Sequence, residues 1–521
     1  MRLYKAFATV GGMTLISRAL GFIRDILVAF VLGTGPIADA FFVAFRFPNL
    51  FRRLFGEGAF NAAFIPLFAK ELEGDGKQSA KNFANQVASV LITALLITTA
   101  LAELTMPWLI YFIAPGFSEN PEKLDLAIFL TRITFPYLAC MSLVALLSGM
   151  LNALDKFAAA AAVPILLNII LIAAMSIAAL LELNQTATAG IILSWGVAIA
   201  GFAQLFLLLF CVTRQDFALK LKRPRLTPQV KKFLWLSIPG ILAGGITQIN
   251  IMIGTIIASM QESAVSFLYY ADRLYQLPLG IVGIAIGVVL LPELSRKLRA
   301  NEMEAVHDAQ NRSLEFSALL TMPAAVALFT IPEPIIKVLF ERGAFDASAT
   351  TATSAALAAF AIGLPSFVLI KVFSPGFFAR EDTKTPMIFA GISMIINVSL
   401  SILLFAQYKH VGIAIATSVA GWANAFLLGI LLYKRGHFII DKTLVSKLPR
   451  IIISSIIMGF VLYYAAQYAS PYLSLDNGIW IRFLTLFALV SCGVLAYGLS
   501  AEITGATSLK SLKQSIRPNR Q

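Results

Sequence analysis

Runs of about twenty apolar residues, set apart by short polar or Gly- and Pro-rich breaks, recur along the whole chain. A helix needs about 20 such residues to cross the ~30 Å hydrocarbon core of a bilayer. Only helices and closed barrels satisfy their backbone polar groups there. The runs fall at roughly 7–32, 38–66, 86–113, 125–152, 159–182, 187–212, 232–258, 267–295, 312–331, 352–378, 385–406, 411–433, 449–468 and 480–501. They predict an all-α polytopic membrane protein with about fourteen transmembrane helices. A composition of 58% hydrophobic and 13% charged residues agrees, since soluble domains carry about 25% charged residues. The opening MRLYKAFATVGGMTLIS is patterned like a signal peptide. The apolar pattern continues past it through Arg18 and Arg24, however, and predicts a retained first span.

The net charge of +13 could suggest nucleic acid, so its distribution decides. Alternate connections differ sharply: about 28 of the 41 Lys and Arg fall on the side of KELEGDGKQSAK (70–81) and TRQDFALKLKRPRLTPQVKK (213–232). About four fall on the side of LGTGPIAD (32–39) and GFSENPEKLD (116–125). Basic loops face the cytoplasm, which puts both termini there and removes the support for nucleic acid as a partner. Cys140, Cys211 and Cys492 lie far apart in apolar segments, and His307, His410 and His437 sit singly in polar connections. Neither set offers a disulfide framework or a metal site.

The longest basic connection, 213–232, follows the sixth span. Sliding the chain by 226 positions lays Phe41 on Phe267 and Pro66 on Pro292; sliding it by 229 lays Pro136 on Pro365 and Asn168 on Asn397. A nearly constant offset over distant regions predicts two parallel six-helix lobes, as internal repeats do in many transporters. The expected organisation is an N-terminal lobe over 1–222, a C-terminal lobe over 223–440, and two further helices with a cytoplasmic tail over 441–521. The two lobes are expected to surround a central cationic cavity.

Charges inside the spans point to what such a cavity would hold. SRALGFIRD (17–25) places Ser17, Arg18, Arg24 and Asp25 in the first span, and FRFPNLFRRLFGEG (45–58) places Arg46, Arg52, Arg53 and Glu57 in the second. An arginine at mid-bilayer costs about 2.5–3.5 kcal/mol on insertion scales, so such residues face a cavity or a partner. At 100° per residue Ser17 and Arg24 share one stripe and Arg18 and Asp25 another, while Arg46, Arg53 and Glu57 share a face of the second span. Arg273, Gly280 and Gly287 share a face of the eighth.

Internal pairing, Arg18 with Asp25 or Arg53 with Glu57, is one account of these residues. Yet seven embedded positives (Arg18, Arg24, Arg46, Arg52, Arg53, Arg273, Lys371) face four negatives (Asp25, Asp39, Glu57, Asp272). Pairing alone leaves an excess that an anionic ligand would balance, and guanidinium matches phosphate through bidentate hydrogen bonds. Lys371 could equally reach the cytoplasmic end near Arg380, and Arg132 and Arg482 read as interfacial anchors. No acid/base cluster or metal carboxylate set accompanies the arginines, so no catalytic residues, metal or cofactor are expected and the chain does not read as an enzyme.

SRALGFIRD, ADAFFVAFRFPNLFRRLFGEGAFNAAFIP (38–66), APGF (114–117), YYADRLYQLPLG (269–280) and SPGFFAREDTKTP (374–386) together resemble the MurJ/MviN family of lipid II flippases, within the multidrug/oligosaccharidyl-lipid/polysaccharide exporter superfamily. The resemblance spans essentially the whole chain. It implies an inner-membrane protein that moves the undecaprenyl-pyrophosphate-linked peptidoglycan precursor from the cytoplasmic to the periplasmic leaflet. The family's cavity arginines fall on Arg18, Arg24, Arg52 and Arg273, and its acidic positions on Asp39 and Glu57. The resemblance further implies a lipid-tail groove at the last two helices. Partners would be lipid II, membrane lipids and the cell-wall synthesis machinery, with coupling to the membrane potential or an ion gradient. The acid that some members carry three positions after the helix-eight arginine is Gln276 here. The alternatives are a cation-coupled multidrug exporter, or an exporter of another polyprenyl-linked oligosaccharide, in the same superfamily.

Overall fold

The first apolar run stays helical over Arg2–Leu32 (α1) and ends where Gly33 takes the left-handed backbone at φ +62°, a conformation that costs a glycine nothing. Three residues later Pro36 opens α2 (Pro36–Leu54), at the position where its missing N–H is not needed. The computed structural model describes residues 2–54 and 60–507. Beyond α2 the helices are α3 (Phe60–Gly74), α4 (Gly76–Ile113), α5 (Pro121–Thr134), α6 (Tyr137–Ala153), α7 (Phe157–Leu180), α8 (Ala187–Thr213) and α9 (Pro228–Ala258). They continue as α10 (Ala264–Arg299), α11 (Met303–Thr330), α12 (Pro332–Leu339), α13 (Ala347–Phe378), α14 (Lys384–Lys434), α15 (Lys442–Ala469) and α16 (Ile479–Ile503).

Local chemistry sets these boundaries. Asn120, Thr186, Thr227 and Asp441 each accept a backbone N–H of the helix that follows, satisfying one of the donors a helix start leaves open. The run expected at 125–152 is divided at Pro136, which separates α5 from α6. The runs expected at 385–406 and 411–433 form the two arms of α14, parted at Lys409, whose backbone is non-helical at φ 50°.

Among the described residues, nine helices are long and apolar enough to cross a membrane. α1, α2 and α10, which carry the arginines of interest, are not among the nine. The outward faces of the apolar helices carry large exposed side chains one turn apart: Leu104, Trp108 and Phe112 on α4, and Phe202, Phe206 and Phe210 on α8. Soluble monomers do not expose continuous apolar stripes of this kind, and a bilayer covers them.

The chain divides into two units. The first holds Met1–Ser266 together with Arg342–Asp346; in it α1 packs on α7, α7 and α6 on α8, and α2 on α5. The 342–346 turn is fastened by backbone: Ala344 N donates to Phe30 O at 2.9 Å, and Gln185 Nε2 to Ala344 O at 2.9 Å. A Cβ on Gly33 would stand 2.1 Å from Ala344 O, and one on Gly343 2.5 Å from Phe30 O. The second unit holds Phe267–Glu341 and Ala347–Gln521, with α13 packed on α11, α12 and α14, and α15 between α11 and α16.

Candidate functional site

The stretch that carries Ser17, Arg18, Arg24 and Asp25 is continuous helix, so its polar groups find partners only through side chains. Arg24 folds back on its neighbour: Nη2 lies 2.7 Å and Nε 3.0 Å from Asp25 Oδ1. Its Nη1 donates to Asn168 Oδ1 on α7 at 3.0 Å. Asn168 Nδ2 in turn donates to Ser17 O at 2.9 Å. Ser17 and Arg24, set on one stripe by their spacing, are thus joined through a third residue. The approach is close: a Cβ on Gly21 would meet Asn168 Nδ2 at 3.4 Å.

Arg24 and Asp25 are buried. Arg18 is exposed, and it makes no hydrogen bond or ion pair with the described residues. The pairing open from the sequence, Arg18 with Asp25, is not the one formed; Arg24 holds that carboxylate. Asn168 is the residue that sequence reasoning missed. Its signal was a lone amide in a very apolar span, and the sequence used it only to align the repeat.

On α2, Asp39 is fully buried and densely satisfied. It accepts from Lys123 Nζ at 2.7 Å, from the backbone N–H groups of Ser263 and Ser266 at 2.9 Å each, and from Ser266 Oγ at 2.7 Å. Lys123 is itself buried, with its ammonium 4.2 Å from the Phe117 ring centroid. The carboxylate therefore ties the start of α2 to α5 and caps the first turn of α10. Arg46, half-buried about two turns further along α2, donates to Thr255 Oγ1 on α9. Glu57 and the side chains of Arg52 and Arg53 lie outside the described residues.

In the second unit Arg273 Nη2 donates to Tyr269 Oη at 2.9 Å, with its guanidinium 4.8 Å from the same ring centroid. Gln276 donates to Asp272 one turn back, so this amide is engaged with a carboxylate on its own helix. Lys371 on α13 is exposed at its head, and its stem crosses Gly283 of α10, where a Cβ would stand 2.6 Å from its Cδ. Arg132 lies 3.9 Å from Glu103 and is half-exposed. Arg482 differs from the expected anchor. It is buried and donates from Nη2 to Lys337 O at 2.6 Å, satisfying a carbonyl at the C-terminus of α12. His410 also differs from a residue in a polar connection: it is buried at the start of the second arm of α14, its ring centroid 5.0 Å from that of Phe267.

Among the described residues no group of three His, Cys, Asp or Glu could hold a metal. What the described residues offer is charge: guanidinium groups on α1 and α2 in the first unit and, in the second unit taken by itself, that of Arg273 on α10.

The family model described as lipid II flippase MurJ matches residues 28–483. A probable lipid II flippase MurJ of Rhizobium meliloti is 50% identical over 518 residues, covering 99% of this chain and 97% of that one. The lipid II flippase MurJ of Burkholderia cenocepacia is 36% identical, covering 84% and 85%. Among solved structures, a lipid II flippase MurJ in an inward closed conformation superposes with a TM-score of 0.78 at 27% identity, covering 98% and 99%. An inward-facing multidrug resistance MATE family transporter of the MOP superfamily reaches 0.68 at 14% identity, covering 82% and 98%, a likeness of fold alone.

Proposed function

The chain belongs to the MurJ family of lipid II flippases, and from that premise we propose that it carries lipid II across the bacterial inner membrane, from the cytoplasmic to the periplasmic leaflet, by alternating access. The observation that carries this reading is Arg18, an exposed guanidinium with no ion-pair partner among the described residues, well inside a helix of 31 residues. Lipid II presents a pyrophosphate, a concentrated anion that the hydrocarbon core rejects and that guanidinium recognises in bidentate fashion. Arg18, Arg24, Arg52, Arg53 and Arg273 are its proposed contacts, with Ser17 and Asn168 orienting Arg24. Glu57 and Asp39 shape the charge and the packing around them. The polyprenyl tail can stay in lipid.

No bond is made or broken in this transfer, so the family's activity calls for no catalytic residue or cofactor. We take the energy to come from the membrane potential or an ion gradient, since moving one elementary charge across 100 mV is worth about 2.3 kcal/mol. We take both termini to lie in the cytoplasm, a reading the basic connections support, with the cell-wall synthesis machinery that consumes lipid II as the natural partner. The cation-coupled antiporter reading is weaker because such an exporter needs a carboxylate free to exchange its cation, and Asp39 is occupied by Lys123 and two serines.

The test is transfer of labelled lipid II across vesicles that contain the purified protein. Transfer should be lost when Arg18, Arg24, Arg52 and Arg273 are all changed to Ala. Undiminished transfer by that variant would overturn the proposed path.

A further inference from the structure

Two neighbouring amides at the start of α11 are treated very differently. Asn311 is fully used: its Nδ2 donates to Ile439 O at 2.7 Å and His307 O at 2.8 Å, and its Oδ1 accepts from Asp441 N at 3.2 Å. Gln310 is 2% exposed, yet neither its Oε1 nor its Nε2 has a hydrogen-bond partner among the described residues. Leaving a buried polar group unmet costs about 1–3 kcal/mol, so such a group points to something that meets it.

The surroundings of Gln310 say what that is. Gly376 of α13 stands against it, close enough that a Cβ there would lie 2.8 Å from Nε2. Arg380, one turn beyond, donates to Gly376 O at 2.7 Å and makes no ion pair with the described residues. The nearest acid in sequence with a defined role, Asp382, is already spent on Thr385 and Arg435. His307 lies one turn before Gln310 on the same face of α11, and His437 follows the end of α14. Each has a buried Nδ1 without a partner among the described residues. Four unmet polar atoms therefore lie on two segments, α11 and the stretch after α14, and the guanidinium on a third carries a charge that reaches both imidazoles.

We propose that Gln310, Arg380, His307 and His437 form a binding site for a single phosphate group, separate from the arginines of α1, α2 and α10. A phosphate offers acceptors for the guanidinium fork, the Gln310 amide and an imidazole N–H at once. Exposed Phe378, Ile439 and Ile440 lie on the flanking segments, where acyl chains would rest if the phosphate belongs to a lipid headgroup.

The experiment follows thermal unfolding of the purified full-length chain in detergent during titration with phosphatidylglycerol, with inorganic phosphate, and with dioleoylglycerol as the phosphate-free lipid. Phosphatidylglycerol should raise the unfolding midpoint of the native chain. Arg380→Gln and Gln310→Leu should need about tenfold more of it for the same shift, the loss of one charge-assisted or neutral contact worth about 1.4 kcal/mol. Gln310→Leu also guards against misfolding: without ligand it should unfold no lower than the native chain, because it removes an unmet buried amide. A response to phosphatidylglycerol alone identifies a lipid headgroup site, and an equal response to inorganic phosphate identifies a site for the free anion. An unchanged response in both variants, or equal stabilisation by dioleoylglycerol, overturns the proposal.

Discussion

Arg18 and Arg24 stand six residues apart on one helix and have different surroundings, so their substitutions should separate binding from folding. Arg18→Ala removes an exposed group with no partner among the described residues. Lipid II transfer should fall about tenfold or more, as a charge-assisted contact worth about 1.5–3 kcal/mol is lost, with the unfolding midpoint unchanged. Arg24→Ala should lower both, because it strips the buried Asp25 of its guanidinium. Breaking a buried pair costs about 3–5 kcal/mol. Asp39→Asn should be as damaging, since Lys123 then stays buried without its carboxylate; adding Lys123→Met should restore much of the midpoint. Were Asp39 needed only for transport, its single variant would fold normally and the double would gain nothing. The charges themselves were plain in SRALGFIRD, but their partners were not. Asn168 is 144 positions from Arg24, and Lys123 is 84 from Asp39. Helical spacing also misjudged Asp25, because the arginine side chain is long enough to fold back onto the adjacent residue.

Elements were more legible than residues, because apolar periodicity and Gly or Pro punctuation act locally. The sequence separated the two arms of α14 at QYKH, and the backbone turns there at Lys409. It gave no sign that Pro136 ends a helix where Pro365, its counterpart in the repeat, lies inside the continuous α13. Beside Pro136, Thr134 Oγ1 is engaged with Ala44 O of α2 at 3.0 Å, a partner 90 positions away. Nor could spacing reveal the 342–346 turn, which is held by the backbone of α1. Gly33→Ala should therefore be severe, combining a positive φ worth about 1–3 kcal/mol of strain with a Cβ driven into a carbonyl. An unfolding midpoint equal to that of the native chain would contradict the clasp. Outside the spans, burial first, then Arg380 and Arg435, hold His437 below its ordinary value of 6.5, against the opposing pull of Asp382. A histidine so held takes up its proton at a lower pH in the folded chain than in the unfolded one, which does so below about pH 6.5. Its contribution is full above that pH and is lost as the pH falls from there through the lower folded value. The unfolding midpoint should drop between about pH 7.5 and 5.5, and less steeply in His437→Gln.

At the scale of the whole molecule, a charge excess that could have meant nucleic acid is accounted for by where it lies. Most of the 41 basic residues sit in alternate connections, and those connections join helices whose outward faces are apolar. The same distribution supports the proposed orientation, which cysteine labelling can test. Cys140 is buried, and Cys211 and Cys492 are half-buried within helices, so a background with all three changed to Ser keeps the polar connections intact. Ser118 and Arg223 are both exposed, in the 116–125 and 213–232 connections. In intact spheroplasts an impermeant thiol reagent should modify Ser118→Cys at once, and Arg223→Cys only after the membrane is opened. The reverse order would turn the molecule over. The arginines of α1 would then meet lipid II from the periplasmic leaflet, and the direction of transport proposed for this chain would fail with it.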